Sequence, residues 1–211
     1  MAVIDTPKEH SLSKKGNNTK MALIRSGVEA MTINGYVSSN IENILKKVGV
    51  PKGSFYYYFK SKEDFGKAII ESYDSFFRYK LDKHLLNESI ELPLSRIKSF
   101  YEDAKLSMAK YNFDRGCLIG ELTQEESLLP EGYSTLLVDI LQSWQQKIAI
   151  CLQQAQKIKE IKSNVNCEEL AVFFWLGWEG AVTRSKLIKN AEPLDIFMRQ
   201  FLLSIKSEPS D

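Results

Sequence analysis

The stretch from Ser39 to Lys62, SNIENILKKVGVPKGSFYYYFKSK, decides the fold. Its first part places apolar side chains at positions 41, 44, 45 and 48, which lie on one face of a helix. We therefore predict a short helix over residues 41–48, with Ser39 and Glu42 forming a capping box at its start. Pro51 disfavours helical backbone at the residue before it and is itself a favourable first helical residue. A second helix is predicted from Pro51 to about Phe59, and two such helices joined by a short turn form a helix-turn-helix.

The second helix of this pair carries more aromatic and polar side chains than its packing requires. Phe55 and Phe59 lie four residues apart and supply one apolar edge. The remaining side chains are of the kinds that hydrogen-bond phosphates or contact thymine methyl groups in the major groove. They are Lys52, Ser54, Tyr56, Tyr57 and, just beyond the helix, Lys62. Gly53 allows the start of the helix to approach a sugar-phosphate backbone closely. The pattern predicts a surface that contacts DNA.

The distribution of charge agrees with a DNA-binding segment in the first third of the chain. The 211 residues contain 28 Lys or Arg and 27 Asp or Glu, a net charge of +1. Residues 1–62 contain ten basic and four acidic residues, a net charge of +6, whereas residues 63–211 contain eighteen and twenty-three, a net charge of −5. Such asymmetry is typical of a nucleic-acid-binding head on a body that does not bind. Ordinary scatter of surface charge accounts for it equally well, so charge alone does not decide.

Helical periodicity continues through the rest of the chain, and no stretch shows the sustained alternation of a β-strand. We predict an all-α fold of about nine helices. Beyond the two already named, the expected helices include a first one around residues 21–31 and later ones at about 62–86, 93–111, 118–128, 137–152, 167–188 and 192–206. We divide the chain into a flexible polar tail (1–16), a helix-turn-helix DNA-binding domain (17–62) and a C-terminal regulatory and dimerisation domain (63–211).

At the residues of the second short helix, the chain resembles the TetR family of bacterial transcription regulators. The family's run of a small residue, an aromatic residue or Leu, Tyr, a variable residue, His or Tyr, and Phe is matched by residues 54–59, and its Ser-Lys-Glu by residues 61–63. The one departure is Tyr58, which stands where many members have His. The resemblance implies three N-terminal DNA-binding helices, about six helices in a ligand-binding body, and a double-stranded DNA operator as partner. It favours repression and implies no cofactor.

The resemblance also gives each candidate DNA-contacting residue a role. Those expected to face the groove are Lys52, Gly53, Ser54 and Tyr57. Those expected to contact or flank the DNA backbone are Tyr56, Tyr58 and Lys62, with structural packing as the alternative for Tyr58. Ser39 is expected to touch a phosphate, to cap its helix, or to do both. The division implies that Lys62→Ala weakens binding to every DNA sequence, whereas Tyr57→Ala changes which operator is preferred.

A homodimer is expected, because two recognition helices about one DNA turn apart read a pseudo-palindromic operator. The resemblance places the dimer contact on the last two helices, whose apolar faces carry much aromatic area. The candidate contact residues are Leu170, Phe173, Trp175, Phe197 and Phe201. The alternative for each of them is the core of a single chain.

A possible signal is suggested by residues 115–122, RGCLIGEL. This segment resembles a TetR subgroup of the NemR and AcuR type, some members of which respond to electrophiles, reactive chlorine species or acrylate-like molecules. A thiol near a helix N-terminus and beside Arg115 should have a lowered pKa, so Cys117 is a candidate electrophile sensor. The alternative is a small cysteine that fills a gap in the core. Cys151 is expected in the core, and whether Cys167 pairs with Cys117 stays open.

A reversible small-molecule inducer is the competing signal. It would occupy a pocket lined by aromatic side chains, and the candidates are Phe100, Tyr101, Trp144, Phe174 and Trp178. Aromatic stripes of this kind belong more often to a core than to a pocket.

Several classes of protein are disfavoured by the sequence. The longest apolar run, residues 170–178, is far shorter than the roughly 20 residues that span a bilayer, and no secretory signal is evident. Three cysteines are too few and too widely spaced for a disulfide framework or a CxxC metal site. Only His10 and His84 are available as imidazole bases, so a cysteine-dependent enzyme would need His84 beside Cys117. We expect a cytoplasmic protein with no metal, no membrane contact and no enzymatic activity.

Overall fold

The computed structural model describes residues 14–206, and in this range nine α-helices are joined by short turns. They are α1 (Lys14–Asn34), α2 (Ile41–Val48), α3 (Lys52–Tyr58), α4 (Lys62–Leu85), α5 (Pro93–Lys110), α6 (Leu118–Gln124), α7 (Tyr133–Lys157), α8 (Cys167–Ile188) and α9 (Glu192–Ile205). A 3-10 turn, Glu126–Leu128, follows α6 where one longer helix was predicted. Within these residues the sole β-pairing is an isolated bridge between Ile161 and Lys206. The predicted all-α fold is confirmed.

The residues that precede α2, α3 and α4 explain where each of these helices begins. Ser61 caps α4, because its hydroxyl accepts a hydrogen bond from the Asp64 N–H at 3.1 Å. The predicted cap of α2 is wrong. Asn40, not Ser39, is the residue directly before α2, and its side-chain oxygen accepts from the Glu42 N–H at 2.7 Å. Likewise Pro51 precedes α3 as its N-cap, so α3 begins at Lys52.

Helices α1, α2 and α3 form the head, which packs on the first turns of α4. Phe55, Phe59 and Phe65 meet edge to face or tilted, with ring centroids 4.7–5.5 Å apart, and all three are buried. Gly27 in α1 lies so close to α4 that a Cβ there would overlap the Cδ1 of Ile69. The aromatic edge of α3 and one missing side chain on α1 therefore fix the position of the head on α4.

The body, helices α4 to α9, surrounds an aromatic core. Trp144 on α7 and Trp175 on α8 have ring centroids 5.3 Å apart, and Phe77 on α4 lies 4.2 Å from Trp144. Asp74 on α4 accepts a hydrogen bond from the Trp144 indole N–H at 2.9 Å and pairs with Arg78 at 3.0 Å. A buried indole N–H needs such a partner, so this contact fixes α7 against α4.

The expected domain boundary at residues 62 and 63 coincides with the start of α4, a continuous helix shared between head and body. Of the expected tail, residues 1–13 lie outside the described range, as does His10, whereas residues 14–16 belong to α1. Between residues 14 and 206 no helix is long and apolar enough to cross a membrane.

Candidate DNA-binding surface and ligand cavity

Helix α3 turns one edge inward and presents the opposite face to solvent. Phe55 and Phe59 are buried, whereas Tyr56 and Tyr57 are 60% and 66% exposed. Lys52 and Gly53 are also exposed, and no atom lies within 4 Å of where a Cβ on Gly53 would be. Tyr58 is half-buried, with its ring 5.0 Å from that of Tyr57. The opposite edge of α3 is buried, so the helix keeps large aromatic side chains exposed to solvent. Such an exposed aromatic surface is suited to binding a partner.

Beside this face, a depression of about 570 Å³ separates α3 from the start of α2. Its lining brings together Lys52, Tyr56 and Lys62 with the polar residues Ser38 and Asn40 at the start of α2. The Lys62 ammonium lies 3.3 Å from the Val37 carbonyl oxygen and 4.7 Å from the Tyr36 ring centroid. Lys52 pairs with Glu42 at 2.8 Å, and both side chains are exposed. Two cations, Lys52 and Lys62, and one carboxylate, Glu42, thus line a polar depression beside the exposed face of α3.

The position of Ser39 does not suit the expected phosphate contact. Ser39 is buried, and its hydroxyl donates to the Gly35 carbonyl oxygen at 2.5 Å, which leaves no proton for a phosphate. Asn40, exposed on the same rim, was missed by the sequence analysis although Asn is among the strongest N-cap residues.

Contacts between head and body were also missed. The Glu125 carboxylate, just after α6, accepts hydrogen bonds from the backbone N–H groups of Tyr36 at 2.6 Å and Val37 at 3.2 Å. Lys186 near the end of α8 donates to the carbonyl oxygens of Thr32 and Ile33 at 3.3 and 3.1 Å, and pairs with Glu121 at 2.7 Å. These contacts join the end of α1 and the turn to α2 to the body.

A cavity of about 400 Å³ lies in the body between α1, α4, α5, α8 and the segment before α6. Its apolar wall includes Tyr73, Phe77, Met108 and Trp178. Its polar lining includes the cations Lys80, Lys110 and Arg115 and the smaller groups Thr32, Ser107 and Cys117. A cavity of this volume and mixed lining is suited to a small organic ligand.

The aromatic residues expected to line a pocket occupy other places, with the exception of Trp178. Phe100, Trp144 and Phe174 are fully buried in the aromatic core. Tyr101 is buried too, and its hydroxyl donates to Asp195 on α9; burial and that carboxylate raise the pKa of Tyr101 to about 12. The pocket assignment of these four residues is wrong, because packing against α7, α8 and α9 covers the faces that carry them.

Cys117 lies on the cavity wall as the residue before α6, but its expected acidity is wrong. The pKa of the Cys117 thiol is raised to about 11, chiefly by burial and in smaller part by the nearby Glu179 carboxylate, while the Gly120 N–H acts to lower it. Arg115 does not offset this, because its guanidinium pairs with Glu29 at 3.0 Å and stacks on Tyr111. Cys117, Cys151 and Cys167 are all buried and free.

The candidate dimer residues divide into two groups. Trp175 and Phe201 are 2% exposed in the single chain, so they cannot form contacts with a partner. Phe173 is 53% exposed, and Leu170 and Phe197 are half-buried. The exposed apolar residues around them on α8 and α9 are Val172, Leu176, Ile196 and Leu203. An unpaired apolar face therefore remains on the last two helices.

The head and its exposed α3 define the class of protein, a helix-turn-helix DNA-binding regulator. Residues 23–69 match the family of bacterial regulatory proteins, tetR family, and residues 93–201 match the tetracyclin repressor-like C-terminal domain. The chain belongs to the TetR family of transcriptional regulators. Members of this family bind DNA operators and act as dimers. Among residues 14–206, no group of three or more His, Cys, Asp or Glu side chains could hold a metal ion.

Two curated relatives and one solved structure show how close the similarity is. The transcriptional regulator AcuR of Cereibacter sphaeroides is 43% identical over 180 residues, which cover 85% of this chain and 82% of that protein. The transcriptional repressor DhaR of Mycobacterium sp. strain GP1 is 30% identical over 176 residues, 83% and 86% of the two chains. The crystal structure of a regulatory protein TetR from Rhodobacter sphaeroides has a TM-score of 0.87 at 42% identity, covering 89% and 98%. The AcuR match confirms the subgroup resemblance.

Proposed function

We propose that this protein is a cytoplasmic, dimeric transcriptional repressor that inserts α3 of each subunit into the major groove of a pseudo-palindromic operator. The observation that carries the proposal is the exposed face of α3. Tyr56 and Tyr57 are exposed to solvent on this face, and the opposite edge of the helix is buried. Repression is supported by the name of the relative DhaR, a transcriptional repressor.

Within this proposal the residues on and beside α3 contact different parts of the DNA. Lys52, Gly53, Ser54 and Tyr57 enter the groove, where side chains can reach base edges and thymine methyl groups. Tyr56 and Lys62, on the rim of the depression beside α2, bind the phosphate backbone together with Asn40. Tyr58 supports the neighbouring Tyr57 ring.

The dimer is formed by the unpaired face of α8 and α9. Phe173 and Leu176 on α8 are central to it, and Leu170 and Phe197 lie at its edge, half-buried. Leu176→Glu, which places a charge in this face, is expected to raise the dimer dissociation constant in sedimentation equilibrium. Leu106→Glu on α5, equally exposed but outside this face, is the control. Equal behaviour of the two variants would place the interface elsewhere.

A ligand in the body cavity is the signal that releases the operator. A reversible ligand is favoured over electrophile modification of Cys117, because the raised pKa keeps that thiol protonated near neutral pH. Modification of Cys117 stays the second candidate, since Cys117 lies on the wall of the same cavity. If Cys117→Ser abolished release by N-ethylmaleimide, the thiol would be part of the signal.

An enzymatic alternative would rest on one group of side chains on α4 and α5. His84 on α4 lies 2.8 Å from the Ser99 hydroxyl and 3.7 Å from Asp103, both on α5. A serine nucleophile needs free N–H donors to stabilise an oxyanion, and the N–H groups around Ser99 lie inside a helix, where they are already bonded. Asp103 also pairs with Lys80 at 2.7 Å. We interpret the group as a tie between α4 and α5, and expect no hydrolase turnover.

Operator binding is tested by fluorescence anisotropy with labelled duplexes from the DNA upstream of the protein's own gene, over a salt series. Tyr57→Ala is expected to change the ratio of affinities for matched and scrambled duplexes. Lys62→Ala is expected to weaken both equally and to lower the salt slope by about 1. Tyr79→Ala, an equally exposed tyrosine on α4, is the control and should bind as the unmodified protein does. Identical losses in all three variants would refute the proposed surface.

A further inference from the structure

An exposed ion pair joins the two helices of the helix-turn-helix. The ammonium of Lys52, the first residue of α3, lies 2.8 Å from the carboxylate of Glu42, in the first turn of α2. The two side chains are 66% and 68% exposed. Each favours the charged form of the other, since their hydrogen bond lowers the pKa of Glu42 and raises the pKa of Lys52. An ion pair open to water adds little to the stability of a fold, so stability does not explain this one.

The backbone on both sides of the pair is fixed. The Asn40 side chain accepts a hydrogen bond from the Glu42 N–H at 2.7 Å and caps α2. Gly49, at φ +74°, ends α2, and the Val50 N–H donates to the Leu45 carbonyl oxygen at 3.0 Å in the turn that leads to α3. The buried edge of α3 anchors the second helix. The two charges are therefore held on backbone that is already in place before DNA is bound.

The pair lies at the end of α3 that a helix-turn-helix brings to the bases. Recognition helices contact base edges through their N-terminal residues. Lys52 is the N-terminal residue of α3, and the 2.8 Å contact places the Glu42 carboxylate beside it. Among the described residues that line the depression next to α3, only Glu42 carries a carboxylate. A negative charge at this position repels the phosphates of DNA, so it weakens binding unless a base offers it a hydrogen-bond donor.

The major-groove edge of a G·C base pair matches these two charges side by side. Guanine presents N7 and O6 as acceptors, which suit the Lys52 ammonium, and cytosine presents its N4 amino group as a donor, which suits the Glu42 carboxylate. Thymine in place of cytosine reverses the match, because its O4 acceptor faces the carboxylate and the adenine N6 amino group faces the ammonium. The ion pair can therefore distinguish cytosine from thymine by repulsion as well as by attraction.

We propose that Glu42 is a specificity-determining residue, whose carboxylate accepts a hydrogen bond from one cytosine N4 amino group in each half-site of the operator. It also holds the Lys52 ammonium toward the paired guanine and away from the phosphates, which lowers binding to DNA of unrelated sequence. This inference rests on the proposed function and names one base pair that the same surface reads.

The base preference is tested by fluorescence anisotropy with the duplex that the unmodified protein selects. Each G·C pair of the half-site is changed in turn to A·T, with thymine in place of cytosine, at equivalent positions in both half-sites. At one position we expect the unmodified protein to prefer cytosine by at least about fivefold, and Glu42→Gln to prefer it by less than about twofold. The Gln amide both donates and accepts, so Glu42→Gln should bind the thymine duplex more tightly than the unmodified protein does. A misfolded variant cannot produce such a gain.

The hold on Lys52 is tested with DNA of scrambled sequence over a salt series. Glu42→Ala should bind this DNA about two- to fivefold more tightly and with a salt slope steeper by about 1, because Lys52 becomes free to neutralise a phosphate. Asp82→Asn is the control and should bind as the unmodified protein does. Asp82 pairs with Lys147 at 2.6 Å near the end of α4, about 30 Å along that helix from its first turn. Equal binding of scrambled DNA by Glu42→Ala and the unmodified protein would overturn the hold on Lys52.

Three results would overturn the reading of cytosine. They are an unchanged cytosine preference at every position in Glu42→Gln, a selected half-site without any G·C pair, and a loss of affinity for every duplex in Glu42→Ala together with a lowered urea midpoint. The last would show that Glu42 only ties α2 to α3. If the unmodified protein selected no sequence, the proposed function and the base preference would both be wrong. Selective binding combined with any of the three results would leave the repressor in place and refute the role of Glu42 alone.

Discussion

The contact between Glu125 and the turn from α1 to α2 gives the sharpest structural prediction. The Glu125 carboxylate accepts from the N–H groups of Tyr36 and Val37, two donors that no helix satisfies. Gly35, at φ +76°, lies directly against the same carboxylate, and a side chain at this position would overlap it. Glu125→Ala removes the carboxylate oxygen Oε2, which accepts both hydrogen bonds, and leaves a gap beside Gly35.

The magnitude follows from the two hydrogen bonds. A hydrogen bond to a charged group contributes about 1.5–3 kcal/mol when well formed and shielded. Val37 is exposed and its bond is 3.2 Å long, so water replaces much of its contribution. We expect Glu125→Ala to lower the free energy of unfolding by about 2 kcal/mol. Glu125→Gln keeps an acceptor oxygen but loses its charge, and is expected to lower it by about 1 kcal/mol. For a chain of this size the alanine variant should melt about 4–8 °C lower.

Urea unfolding followed by circular dichroism measures the loss, and operator anisotropy measures whether the head is still held in its binding position. Glu126→Gln is the matched control, because the neighbouring Glu126 accepts a hydrogen bond from Ser134 on the exposed surface. The reasoning would be refuted if Glu125→Ala unfolded at the same urea concentration as Glu126→Gln and bound the operator equally well.

Three further predictions concern packing, a buried hydrogen bond and thiol reactivity. Gly27→Ala should destabilise the protein by about 1–3 kcal/mol in urea, because its Cβ overlaps Ile69, whereas Gly53→Ala, in open space, should not destabilise it beyond experimental error. Asp74→Ala should cost about 1–3 kcal/mol, since the Trp144 N–H is left buried without its acceptor; an unchanged urea midpoint would contradict this. The alkylation rate of Cys117, read by mass spectrometry, should keep rising between pH 7 and 10, because its pKa of about 11 leaves about 0.1% thiolate at pH 8. A plateau near pH 7 would show that the thiol is activated.

The part of the fold that the sequence predicts best is local. The apolar face of residues 41–48 and the Phe55 and Phe59 edge are set by spacing within one helix, and both lie where periodicity places them. The bounds predicted for α2 are correct, but its capping residue was misplaced by one position because Ser39 and Asn40 both favour the N-cap. Their tertiary surroundings decide between them, since the Ser39 hydroxyl is bound to Gly35.

In the body, helical periodicity does not predict which aromatic side chains border the cavity. Phe100, Trp144 and Trp178 each lie on the apolar face of their own helix. Only the contacts among helices determine that Trp178 borders the cavity and that the other two do not. The lowered pKa expected of Cys117 is wrong for the same reason, because burial is a property of the packed helices and outweighs the effect of the helix terminus. Glu125 and Lys186 contact the head across 89 and 154 residues of sequence, a separation that no local pattern encodes.

The central claim, that this chain reads DNA through α3 as a dimer, is tested most directly by selection from a pool of random duplexes at physiological salt. Retained duplexes are sequenced for the unmodified protein and for Tyr57→Ala, with Tyr79→Ala as control. The account predicts enrichment of one pseudo-palindrome with half-sites about one DNA turn apart, an altered half-site for Tyr57→Ala, and the original one for Tyr79→Ala. A pool that stays random for the unmodified protein, or the same half-site for Tyr57→Ala, would contradict it.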